Sequence, residues 1–118
     1  MDAPREVLDI PAEFAPVASA FAGCRDVTTE RGWRSGGVTL KAGGKIFAML
    51  VEGKFVAKLP RDRVRELVRE RVGAPFDPRG DGRVMNEWVV IESHRSRWPS
   101  VAREAYAFVV SRKRRGAR

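Results

Sequence analysis

The sequence predicts one two-layer α+β domain, an antiparallel sheet with helices packed on it, in the order helix, three or four strands, helix, one or two strands, helix. Three observations lead there. A chain of 118 residues is close to the commonest size of one domain and long enough to bury a core of its own. Short segments rich in Val, Thr, Ile and Phe follow one another with glycine-containing turns between them, as in a meander. Before, between and after them lie stretches whose apolar residues recur at helical spacing.

The first helix is expected over Pro11 to Ala22, where Phe14, Val17 and Phe21 form one apolar stripe and Gly23 suits the position just past the end. Pro16 fits that helix only if it lies in the first turn, where its missing N–H costs little. Strands are expected near 25–31, 38–41, 46–51 and 55–59, with turns at Gly36-Gly37, Gly43-Gly44 and Glu52-Gly53. Phe55, Ala57 and Leu59 alternate with Lys54 and Lys58, whereas the run from Ile46 to Val51 is apolar on both faces, as in a covered central strand. Arg61 to Val72 is the clearest helix: Val64, Leu67, Val68 and Val72 share one side, Pro60 precedes it, and Gly73 is the candidate C-cap. Turn residues at 77–82 lead into a strand over Val84 to Ile91, and a last helix starts near Pro99 with Val101, Ala102, Ala105, Phe108 and Val109 on one side. Trp88 and Trp98 are expected in the core, between the sheet and this last helix.

Hydrophobic residues make up 43% of the chain against 32% charged, a balance that folds rather than stays disordered. Cys24 is the only cysteine, which excludes an internal disulfide and a CxxC pair. The longest purely apolar run, Ile46 to Val51, is too short to span a bilayer, and the opening residues lack a signal-peptide pattern, so the expected location is the cytoplasm with no membrane partner. The net charge of +8 is unevenly placed: residues 1–94 hold 15 Lys and Arg against 14 Asp and Glu, while residues 95–118 hold 8 against 1. The division expected is an extension over 1–10, a folded domain over 11–111 and a basic tail over 112–118.

Gly37-Val-Thr-Leu-Lys-Ala-Gly-Gly-Lys-Ile-Phe-Ala-Met-Leu50, Lys54-Phe-Val-Ala-Lys-Leu-Pro60 and Arg63-Val64 to Leu67 stand in the order in which the N-terminal domain of the TfoX/Sxy competence regulators carries similar blocks. Gly73-Ala-Pro-Phe-Asp-Pro78, Gly82-Arg-Val-Met-Asn-Glu-Trp-Val89 and Trp98 with Ala102, Ala105 and Ala107 extend the series, so that the chain resembles that family over most of residues 12–110. Where the family often has Met-Phe-Gly-Gly, this sequence has Gly32-Trp33-Arg34-Ser35-Gly36-Gly37, so only the glycines correspond. The resemblance implies an α-β-α two-layer fold related to the YjbR type, and contact with DNA. It carries over no catalytic residue.

The chemical motifs favour binding over catalysis. Gly43-Gly44-Lys45 is not a phosphate loop, because Thr39 and Ile46 occupy the places of its first Gly and its Ser or Thr. Asp77 to Gly82 starts like a calcium loop, but Arg79 and Trp88 stand where ligands are needed, so it reads as a turn. His94 and Cys24 come from opposite ends of the chain; the first is expected to be exposed and the second a small buried hydrophobe. Asp62, Glu66 and Glu70 recur every four residues but interleave with Arg65 and Arg69, which suggests an ion-paired face, not a metal site. No catalytic residue, metal ligand, cofactor or small-molecule substrate is therefore assigned.

The candidate nucleic-acid-binding residues are Arg95, Arg97, Arg112, Lys113, Arg114, Arg115 and Arg118, with Trp33 and Arg34, where an aromatic ring among arginines suits base stacking. The expectation is a non-enzymatic, regulatory binding module contacting nucleic acid by charge through its C-terminal end. The alternative is a protein-interaction adaptor acting through a sheet edge or the Trp33 loop, as a homodimer or with another protein.

Overall fold

The computed structural model describes residues 10–32 and 37–116, with side chains up to Arg112. The elements are α1 (Ala15–Ala20), β1 (Val27–Arg31), β2 (Val38–Ala42), β3 (Lys45–Val51), β4 (Lys54–Lys58), α2 (Arg61–Arg69), β5 (Ala74–Phe76), β6 (Met85–Ile91), a 3-10 turn (Arg95–Arg97) and α3 (Trp98–Gly116). The six strands form one antiparallel sheet in the order β1-β2-β3-β4-β6-β5. This is the α+β class and element order that the sequence predicts.

Local chemistry explains most boundaries. Pro16 lies in the first turn of α1, and Pro11 to Phe14 form hydrogen-bonded turns ahead of it, so the helix is shorter than the 11–22 span of the apolar stripe. Gly43 and Gly44 (φ 56° and 87°) close β2 on β3, and Glu52 and Gly53 (φ 52° and 81°) close β3 on β4, both as left-handed two-residue turns suited to twisted hairpins. α2 ends three residues before the expected Val72. Arg71, at φ 63°, takes the left-handed position; its N–H donates to the Val68 carbonyl, and that of Val72 to the Leu67 carbonyl. Gly73 serves a different purpose: a Cβ there would stand 2.5 Å from Val89 Cγ2, so glycine lets the chain pass close against β6.

The main core fills one face of the sheet, beneath all three helices. A bulge pairs Leu40 with Ala48 but Lys41 with Ile46, so both Phe47 and Ala48 reach that core. Phe14, Val17 and Phe21 of the α1 region join it, as do Val64 and Leu67 of α2 and Trp98, Val101, Ala102, Ala105 and Val109 of α3. A second, smaller cluster of Met49, Val56 and Phe76 lies on the opposite face. The two clusters account for the apolar run of β3, whose Leu50 faces the helices and whose Met49 faces away.

Trp98 occupies the predicted place, fully buried and stacked on Phe55 with centroids 5.2 Å apart. Trp88 does not. Val89 and Ile91 take the core face of β6, and the two-residue alternation sends Trp88 and Val90 to the other side. There Trp88 is half-buried beside Phe76, with the Lys58 ammonium 5.4 Å from its ring.

Polar contacts pin α3. The Tyr106 hydroxyl donates to the Asp26 carboxylate at 2.9 Å, and Arg63 of α2 donates twice to Glu104, at 2.8 and 3.1 Å. Those bonds to Glu104, with a further one to Glu66, hold the Arg63 guanidinium still more firmly in its charged form.

Candidate binding surfaces

The cations that cluster in the sequence near α3 stand at two separate places. Arg95 and Arg97 sit in the turn that starts the helix, where the Arg97 N–H donates to the His94 carbonyl at 2.9 Å. Arg112 lies fifteen residues further on, roughly 22 Å along the axis at helical rise. Each is engaged within the chain. Arg95 lies 6.0 Å from the centre of the Trp98 ring, Arg97 is 3.8 Å from Glu70, and Arg112 donates to Glu87 at 2.9 Å while lying 5.3 Å from the Phe108 ring. Past Arg112 the backbone stays helical through Gly116, so Lys113, Arg114 and Arg115 belong to the last turns of α3. Cations at that end complement the helix dipole. Trp33, Arg34 and Arg118 lie outside the described residues.

A second cationic surface went unread in the sequence. Arg61, Arg65 and Arg69 follow one another every four residues along α2, all exposed. They border a trough of about 350 Å³ between α2 and the β5–β6 corner, with Val64, Val68, Pro75, Val84 and Met85 in its lining. Val84 and Met85 are 44% and 43% exposed. The four-residue spacing of the arginines is legible in the sequence, interleaved with the acidic row, whereas nothing local in the sequence sets Val84 and Met85 beside this helix. The acids of that row pair mainly elsewhere: Glu66 with Arg63 and Glu70 with Arg97, leaving Asp62 3.9 Å from Arg65.

On the opposite face of the sheet lies a cleft of about 230 Å³ whose walls include Val51, Val56, Phe76 and Val90 and whose rim carries Glu52, Lys54, Asp77 and Glu92. Its lining holds no serine, cysteine or histidine. Asp77 spends its carboxylate on its own turn, accepting from the Gly80 and Gly82 N–H groups at 3.0 and 2.9 Å. The sheet ends in β1 on one side and β5 on the other. β1 carries exposed Thr28, Glu30 and Arg31, with Glu30 3.1 Å from Lys41, a charged edge of the kind that discourages indiscriminate strand pairing.

Groups with reactive chemistry are dispersed. Cys24 is half-buried against the main core, and His94 is exposed at φ 55°. The Ser93 hydroxyl lies 3.1 Å from His94 Nδ1, a contact between neighbours in a surface turn, outside both concavities described. No group of three or more His, Cys, Asp or Glu is placed to hold a metal ion among the described residues. Nor, among them, is any helix long and apolar enough to cross a membrane. Comparison with known proteins returns no matching family model, no matching curated protein and no matching solved structure.

Proposed function

We propose that the chain is a non-enzymatic binding module, similar in kind to the TfoX N-terminal domain, that contacts nucleic-acid phosphates with the basic end of α3 in the cytoplasm. The observation that carries this reading is the continuation of α3 to Gly116, which gathers Arg112, Lys113, Arg114 and Arg115 into about one turn of helix, at the end whose dipole favours cations. The body up to residue 94 is nearly neutral, with 15 basic against 14 acidic side chains, so an anion meets its strongest attraction in the C-terminal part of the chain. Arg112 is held by Glu87, which anchors the turn while its successors supply further charge. Such contact is driven by charge and reads little sequence.

The test is fluorescence anisotropy of labelled duplex and single-stranded DNA, with the full chain and with a version ending at Ser111. Binding by the full chain that is lost on truncation supports the reading. An absence of binding at low salt overturns it and leaves a protein partner as the leading function.

A further inference from the structure

The trough beside α2 is independent of the α3 surface. Helical spacing gives α2 three sides. Val64 and Leu67 enter the core. On a second side Arg63 binds Glu66 and Glu104, and Glu70 faces Arg97, so each of these charges has an opposite partner. Arg61, Arg65 and Arg69 occupy the third side, along the trough, whose lining includes no acidic residue. Only Asp62, 3.9 Å from Arg65, offsets them, and Arg61 and Arg69 have no ion pair among the described residues.

The lining beside these arginines is aliphatic. Ile46, Val84 and Met85 are the exposed large apolar side chains among the described residues, and two of the three meet here. Isolated exposed apolar residues need no explanation, but an adjacent pair beside a cationic rim marks a surface that gains by being covered. The lining offers no aromatic ring for a nucleobase to stack on, whereas Val and Met suit aliphatic side chains, and methionine adapts its shape to them. From Arg61 to Arg69 the rim runs about 12 Å, two turns of a helix, and its steps of about 6 Å match carboxylates placed four residues apart on a partner helix.

We infer that this trough docks an acidic amphipathic helix of a partner protein, its Leu, Ile or Val side chains over Val84 and Met85 and its carboxylates against Arg61, Arg65 and Arg69. Charge selects the partner and the apolar floor holds it.

The test is selection of a random-peptide display library on the full-length chain, followed by affinity measurement of the enriched peptides against two variants, R61E/R65E/R69E and V84D/M85D. All five positions are exposed, and a thermal melt confirms that each variant is folded. The expected result is enrichment of peptides combining Asp or Glu with aliphatic residues at helical spacing, and a loss of affinity of roughly tenfold or more in both variants. No enrichment over bare support overturns the inference, as do enriched peptides indifferent to either variant. Weakened duplex-DNA binding by the charge-reversed variant, with no enriched peptide, overturns it in favour of a nucleic-acid surface.

Discussion

Replacing Trp98 and Trp88 in turn by alanine separates two positions that look alike in the sequence. Trp98 has no exposed surface, stacks on Phe55 at an interplanar angle of 17°, and donates its indole N–H to the Ser93 carbonyl at 3.1 Å. Emptying such a site costs about 3–5 kcal/mol, from lost burial and the cavity left behind. The carbonyl adds little, since Ser93 is exposed and water can replace the donor. A chain of this length has a total stability of roughly 6–18 kcal/mol, so W98A removes a large share. An unfolding entropy of about 0.25 kcal/mol/K turns a loss of about 4 kcal/mol into a fall in Tm of about 16 °C. Trp88 is half-buried on the other face, touching Phe76 and Lys58, and W88A is expected to cost only about 1–2 kcal/mol. Urea unfolding followed by far-ultraviolet circular dichroism measures both, and W98F, which keeps a ring over Phe55, should recover more than half of the W98A loss. Equal losses for the two alanine variants, or a larger one for W88A, would refute the assignment of the two rings to opposite faces.

Glycine positions provide a second set of outcomes. At Gly32 a Cβ would lie 2.8 Å from the Gly37 carbonyl carbon and 2.9 Å from the Val38 nitrogen, backbone that cannot yield, so G32A should lose about 1–3 kcal/mol in the same urea assay. G23A meets nothing within 4 Å and should be neutral or gain about 0.4–1 kcal/mol. For the bond between α2 and α3, a double-mutant cycle of R63A and E104A should give a coupling of about 1 kcal/mol, since the pair is bidentate but partly exposed. That coupling should shrink as salt is raised; a coupling of zero at low salt would show that Arg63 does not tie the helices together.

Much of the fold was legible because its signals are local. Gly43-Gly44 and Glu52-Gly53 mark the hairpins through their left-handed turns, and Phe14, Val17, Phe21, Val64 and Leu67 mark helix faces by spacing alone. What escaped depends on partners distant in the chain. Trp88 belongs to a strand apolar at successive positions, and only pairing with β4, where Ala57 meets Val89, decides which set faces the helices. β5 has three residues with Pro75 among them, too short and too poor in donors to read as a strand until β6 is beside it. Arg71 takes a left-handed position that composition would give to Gly73, because the close pass against Val89 needs the glycine more. Proximity in sequence also misled about the surface: Arg97 and Arg112 lie at opposite ends of a helix, while Arg61 and Met85, 24 positions apart, line one trough.

The central claim, that nucleic acid is held by the basic end of α3, is tested most directly by the dependence of duplex-DNA affinity on salt. Residues 112–118 contain five Lys and Arg, of which Arg112 already pairs with Glu87, which leaves about four cations to meet phosphates if nucleic acid binds there. For the full chain the expected slope of log affinity against log salt is about −3.6, equivalent to a loss of roughly 150-fold between 50 and 200 mM. A slope near zero, or an equally steep one in the chain ending at Ser111, would contradict it.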